Sequence, residues 1–332
     1  MATVITTEID IIEAFRAAMR EHGIDTDDEL IPDGRIRRVH VRGDRKGSRN
    51  GWYVLHTDGR PAGAFGSHKL MPGQTIRWTA EGHRRMSAEE QREFKRRMRE
   101  QQRRREAAEH EAQARAADLA ARIWAEARPA ETHPYLKRKG IRPHVARVGR
   151  WWRDATVEAL LVPIVDAGAI VSLQAIFAER LADGRDKDFI PGSRKGGCYC
   201  PIGPRPEPHS TLVICEGFAT GASIHEATGL TVIVAFDAGN LEPVARVFRE
   251  RFPEATIIVA ADNDQWTKRP DGSPWNPGCE HATRAAAAVG GRVVIPTFPA
   301  DDPERPTDFN DLALRGGLEA VREAFREPPH EE

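Results

Sequence analysis

The feature that most constrains this chain is a set of four strand-length apolar runs in its C-terminal half, each followed by a stretch with helical spacing. TLVICEG (211–217), TVIVAF (231–236), TIIVAAD (256–262) and RVVIPT (292–297) alternate with helical stretches at 219–228, 240–251, 279–289 and 316–325. Strands that are apolar along most of their length are buried on both faces. The alternation therefore predicts an α/β domain at 209–328, a parallel sheet with helices on either side.

The region upstream has a different period. ALLVPIVD (159–166), AIVSLQAIF (169–177) and DFIPG (188–192) are alternating β-type segments, entered through HPYLKRKGI (133–141), a short helix closing in a basic turn. They predict a small mixed α+β subdomain over 129–208. Residues 1–80 read as another small α+β domain. Ile11, Ile12, Phe15, Ala18 and Met19 have helical spacing between a Thr7 cap and Gly23, and IRRVHV (36–41), WYVLH (52–56), GAFG (63–66) and TIRW (75–78) are short strands. Asp58-Gly59 marks a hairpin turn between two of them. Residues 81–128 predict one long charged helix. Ser87 and Glu90 form a capping-box pattern, and neither Gly nor Pro occurs again before Pro129. Its first part, 87–110, is polar all round and reads as a solvated spacer. Leu119, Ile123 and Ala127 then make a stripe ready to dock.

Charge separates the two halves. Residues 1–153 carry 32 Lys and Arg against 22 Asp and Glu, a balance of +10, whereas 154–332 carry 17 against 28, or −11. A basic half suits a polyanionic partner, and an acidic half with clustered carboxylates suits bound cations. An ordinary solvated helix face and ordinary solubility would produce the same totals. No run of about 18 apolar residues and no secretion-type N-terminus is present, and four cysteines are too few for a disulfide scaffold. The expected setting is a reducing cytoplasm, with no membrane contact.

The acidic residues collect at the strand ends. Glu216 follows LVIC directly, Asp262 and Asp264 follow TIIVAA, and Asp308 and Asp311 lie in T-D-F-N-D after the fourth strand. Ligands of open parallel sheets bind at the carboxyl ends of the strands, and oxygen-rich clusters suit a hard cation such as Mg²⁺. A single such pair would read as a helix cap or a solvated loop; three at three strand ends point to a metal site. If Glu216 and the Asp pair share it, their strands must be neighbours.

Glu-Gly after the first strand, Asp-x-Asp after the third and a later acidic motif together resemble the Toprim domain. The E-G-F-A-T-G wording, the AFDAGNL stretch and the D-F-N-D-L ending are most similar to phage and plasmid primases, and the likeness extends over roughly 120–325. It implies a DnaG-like catalytic core that makes short RNA primers on single-stranded DNA from ribonucleoside triphosphates. Glu216 would act in acid/base chemistry, and Asp262, Asp264 and Asp308 would hold Mg²⁺ or Mn²⁺. Cellular primases have two acids separated by one residue in the later motif; here Asn310 breaks that pattern and Asp311 is a secondary ligand candidate. The mixed subdomain of primases carries lysines that line the nucleotide and template cleft, which implicates Lys187, Lys195 and the neighbouring Arg194. They stand among Gly192, Gly196 and Gly197, where backbone can approach phosphate.

Two departures qualify the resemblance. Residues 1–80 contain no cysteine, and Cys198-Tyr199-Cys200 is the one close pair, so zinc is not expected. Template recognition would then fall to the basic N-terminal part, where Trp52, Tyr53 and Trp78 are candidates to stack bases or to form that domain's core. The second departure is the lack of a G-x-x-x-x-G-K-[ST] loop, so a replicative helicase is expected as a separate partner. A Toprim nuclease using the same metals, and a non-catalytic replisome adaptor, are the alternatives.

Overall fold

The computed structural model describes residues 8–45, 47–57, 61–80 and 88–326; Thr7, Asp58-Gly59 and Ser87 lie outside the described residues. The chain forms two compact units, Met1–Arg105 and Glu106–Glu332.

In the first unit, α1 (Glu8–Glu21) ends where Gly23 takes φ +80° and donates its N–H to the Arg20 carbonyl. The strands β1 (Arg37–Val39), β2 (Gly51–His56), β3 (Ala62–Ser67) and β4 (Ile76–Thr79) pair antiparallel in chain order. Gly51, Tyr53 and Leu55 of β2 point inward while Trp52, Val54 and His56 are partly exposed, the period of two that a one-sided core imposes. Phe15 is wholly buried and meets the rings of Tyr53, Phe65 and Trp78 edge-on at 6.1, 5.5 and 5.2 Å.

That packing decides between the two readings of these aromatics. Tyr53 has no exposed surface, and its hydroxyl accepts the Ile31 N–H at 2.7 Å, so it is core and no base can stack on it. Trp78 packs on the same cluster. Trp52, one residue out of phase with Tyr53, lines a surface cavity of about 380 Å³ with Ile36, Arg38 and Met71.

The helix α2 spans Ala88–Glu126. Residues 96–111 are exposed; then Ala116, Ala120 and Ile123 are buried at helical spacing, and Ala127 follows them. They cover Trp151, Leu161, Leu173, Ala175 and Phe177 of an antiparallel sheet made, in chain order, of β5 (Arg128–Pro129), β6 (Arg147–Trp151), β7 (Asp154–Asp166), β8 (Ala169–Phe177) and β9 (Lys187–Phe189). Between β5 and β6, α3 (Pro134–Lys139) is capped by His133 and closed by Gly140 at φ +63°.

The second sheet contains β10 (Cys200–Ile202), β11 (Thr211–Cys215), β12 (Thr231–Val234), β13 (Thr256–Ala260) and β14 (Arg292–Val294). Its order is β10-β12-β11-β13-β14, with β11 to β14 mutually parallel and β10 an antiparallel edge. The helices α4 (Phe218–Thr228) and α7 (Phe309–Phe325) pack with α3 on one face. On the other lie α5 (Leu241–Arg251) and α6 (Pro277–Val289). The parallel, doubly covered sheet is thus as the apolar runs foretold. The last helix starts earlier than its spacing suggested, at Phe309 rather than 316. Gly317 (φ +72°, ψ 175°) is non-helical and divides it at a kink, so the helix expected from 316 is its second part and the stretch from Phe309 is an addition. Among the described residues no helix is long and apolar enough to cross a membrane.

Candidate active site

Strand order decides which side chains meet. Because β11 lies between β12 and β13, Cys215 pairs with Val234 and Ile214 with Val259, so the chain leaves three adjacent strands at one level. Neighbouring strands are about 4.8 Å apart. Glu216, Asp237 and Asp262 follow those ends within three residues. The required neighbourhood of the Glu216 and Asp262 strands is present.

Each carboxylate has a distinct local setting. Asp262 is partly buried, and its Oδ1 is enclosed without a hydrogen-bond partner. Asp264 is held at the start of α6: its N–H donates to Asn276 Oδ1 at 3.0 Å, and its Oδ2 accepts the Gly278 N–H at 3.0 Å, where the helix favours negative charge. Gly278 is there because a Cβ would drive into the Asp262 carbonyl oxygen. Asp308 caps α7, accepting the Asp311 N–H on Oδ1 at 2.8 Å and the Thr220 hydroxyl on Oδ2 at 3.2 Å. Asp311 returns the arrangement, accepting the Thr307 N–H at 2.9 Å, with Lys139 Nζ 3.9 Å from its other oxygen. Asp308 and Asp311 therefore serve the helix cap as well as facing the cluster.

Crowding raises the acids' proton affinity. Burial, with the charges of Asp264 and Asp237, pushes the Glu216 carboxyl up to about 7, and Lys187 partly offsets this. Asp262 is pushed up to about 8 by burial and by Glu216, Asp308, Asp264 and Asp311. Asp308 is raised by burial and by Asp311. No closed set of three acid, His or Cys ligands stands ready among the described residues. What the site offers is hard oxygen donors that repel one another, one of them, Asp262 Oδ1, enclosed and unpaired. That chemistry fits a divalent cation, which would supply the missing partner and relieve the repulsion.

The basic residues divide. Lys187, the first residue of β9, is exposed, and its charge reaches Glu216. Lys195 Nζ sits 3.7 Å over the Phe189 ring, and that ring lies edge-on to Phe236 at 6.4 Å. Phe236, just past β12, takes φ +73°, unfavourable for so large a residue, and its N–H donates to the Glu216 carbonyl at 2.8 Å. Arg194 is engaged with Asp166 at 2.6 Å.

Asn310 departs from the pattern by facing away from the cluster. It is wholly buried, and its Nδ2 donates to the Lys139 carbonyl at 2.7 Å and to Ser223 Oγ at 2.9 Å, tying α7 to α3 and α4. Asn310→Asp should therefore cost roughly 3–5 kcal/mol, since a buried carboxylate would replace the donor. Urea unfolding measures the loss; a stability within 1 kcal/mol of wild type (about the worth of one ordinary hydrogen bond) would refute that role.

Sequence reasoning missed Asp237 and Lys139. Asp237 stands in the quoted AFDAGNL stretch, where its side chain accepts the Asn240 N–H; only the β12–β11 adjacency brings its charge to Glu216. Lys139 arrives as the last residue of α3.

Residues 211–319 match the family model of the Toprim domain. The chain's relatives narrow the likeness further. It is 35% identical over 306 residues to a DNA primase TraC of Escherichia coli, a match covering 90% of this chain and 20% of that protein. A second Escherichia coli DNA primase TraC is 33% identical over 293 residues, covering 84% of this chain and 25% of the relative. The chain thus spans a fifth to a quarter of the length of these curated relatives. Among solved structures, the DnaG primase catalytic domain bound to single-stranded DNA is similar with TM-score 0.44 and 12% identity, covering 66% of this chain and 79% of that one. The relatives agree with the primase likeness carried by E-G-F-A-T-G and D-F-N-D-L.

Proposed function

We propose that this chain is a metal-dependent primase that joins ribonucleotides into short RNA primers on single-stranded DNA in phage or plasmid replication. The observation that carries the reading is the row of mutually repelling carboxylates across neighbouring strand ends of a Toprim domain whose relatives are named DNA primases. Asp262, Asp264 and Asp308, with Asp311 behind them, would hold Mg²⁺ or Mn²⁺, which when bound neutralises phosphate charge and acidifies an attacking hydroxyl. Glu216 would accept the proton of the primer 3′-hydroxyl. Lys187 and Lys195 would hold triphosphate or template phosphate, with Arg194 joining after leaving Asp166. The working division is a basic domain at 1–80, a charged helix at 81–128, a cleft-forming subdomain at 129–208 and the Toprim domain at 209–328. A replicative helicase is the expected separate partner.

Incubation with single-stranded DNA, labelled nucleoside triphosphates and Mg²⁺ or Mn²⁺ tests the reading. Short labelled products are expected; a shortened template with no product would replace it with the nuclease alternative, and neither would favour an adaptor. Lys187→Ala and Lys195→Ala should each lower kcat/KM about ten- to a hundredfold, the loss of one charge-assisted contact. Arg194→Ala should do less, because part of its charge already serves Asp166. Unchanged kinetics in both lysine variants, at unchanged melting temperature, would remove them from the cleft.

A further inference from the structure

Between β13 and α6 the chain makes an ordered β-hairpin. Arg269 N–H donates to the Ser273 carbonyl at 2.9 Å, Trp275 N–H to the Thr267 carbonyl at 3.0 Å, and Lys268 bridges Pro274 across the pair. The turn closes at Gly272 with φ +85°. Its base is built into the carboxylate site: Asn276 accepts the Asp264 N–H and donates to Asn263 Oδ1 at 2.8 Å, and Trp266 Nε1 donates to the Pro306 carbonyl at 3.0 Å. The base of the hairpin is therefore held by Trp266, Asn263 and Asn276 as well as by its own backbone pairing.

The hairpin's second tryptophan, Trp275, is 37% exposed. Glu280 takes both the Trp275 indole N–H (3.1 Å) and Arg269 (3.2 Å), and the Arg269 guanidinium lies 5.9 Å from the ring centre. A large exposed ring is thus fixed in place beside a cation. Asp271 is spent inside the turn on Ser273 N and Oγ. Lys268 is exposed and has no ion pair among the described residues. Sheet order gives the arrangement a direction. Phe236 follows β12, with Phe189 and Lys195 beside it, and the hairpin follows β13, on the opposite side of β11. Each flank of the acidic row carries a cation on an aromatic ring.

We propose that this hairpin is a contact for single-stranded nucleic acid, Trp275 serving as a base-stacking platform and Lys268 as a phosphate anchor, so that a strand crossing the carboxylates is held on both sides. A single strand is the occupant because stacking on an indole needs a base free of its own stack, and every base offers a π-face. The inference rests on the primase reading and adds a surface to it.

The test uses the full chain and a fluorescein-labelled oligothymidylate, read by anisotropy with Mg²⁺ present. Trp275→Ala should weaken binding roughly tenfold, Trp275→Phe should recover part of the loss, and the DNA-induced quenching of tryptophan emission should shrink in Trp275→Ala. Lys268→Ala, at an exposed site, should weaken binding less and make it less salt-dependent. Wild-type affinity in both Trp275→Ala and Lys268→Ala overturns the hairpin's role while leaving the primase reading standing. A wild-type chain that binds no oligonucleotide overturns that reading itself, and equal sensitivity of duplex binding to Trp275→Ala overturns the single-strand assignment.

Discussion

Replacing Asp262 by Asn is expected to abolish primer synthesis, by about a thousandfold or more in kcat/KM, because the change removes a charged oxygen from the centre of the cluster where phosphate charge must be neutralised. The same substitution should do something opposite to the metal-free fold. Burial and four neighbouring acids push Asp262 up to about 8, far above an unfolded aspartate. A group whose folded pKa is raised contributes stability that is complete below its unfolded pKa and is lost as pH rises through the folded one. In EDTA, wild-type stability should therefore fall between about pH 4 and pH 8, on the order of 1 kcal/mol per pH unit from this residue. Asp262→Asn should escape most of that fall, so its melting temperature should exceed wild type at pH 8.5 by more than at pH 5.5. Adding Mn²⁺ should raise the wild-type melting temperature, more strongly at the higher pH because protons compete for the same oxygens. The variant should respond weakly. Full synthesis by Asp262→Asn at saturating metal would take the residue out of the site.

Much of this site was legible because it depends on two short-range rules. Apolar runs such as TIIVAA betray buried parallel strands, and a carboxylate just past such a run must emerge at a ligand-binding edge. Glu216, Asp262 and Asp264 needed nothing more. Asp237 was hidden because its relevance depends on which strand lies beside β11, a fact of sheet order rather than of spacing. Lys139 is more remote still, 169 residues from the Asp308 it faces. The first part of α7 carries no long apolar stripe of its own to announce it ahead of the break at Gly317. The signal that would have found it is Asp308 followed three residues on by Asp311, whose side chain and backbone close a reciprocal cap. Trp52 and Tyr53 illustrate another limit: adjacent strand residues face opposite ways, so only one of two neighbouring aromatics is free for a ligand. The composition around them does not say which. The hairpin carrying Trp275 has no apolar alternation on either side of its turn, RPDGS, to mark it in the sequence.

Glu216→Gln keeps the shape of the side chain and removes its ability to take a proton, so it separates catalysis from architecture. Synthesis should fall roughly 10²- to 10⁴-fold, the usual worth of a positioned acid or base, while single-stranded DNA binding and melting temperature stay near wild type. The pH profile carries the stronger test. In the metal-free site burial and the charges of Asp264 and Asp237 push Glu216 up to about 7. As a base it must be unprotonated, so wild-type kcat/KM should rise with pH through its pKa and then level. A bound cation favours the charged carboxylate, which places the inflection below 7 at saturating metal and moves it upward as metal is lowered. A lysine nearby acts in the same direction, so Lys187→Ala should also move the inflection up. Glu216→Gln should lose that limb of the profile altogether and show only the slope of whatever hydroxide or water replaces it. A variant that retains the wild-type inflection at reduced amplitude would assign the titration to another group, and one that no longer binds template would give Glu216 a structural part instead.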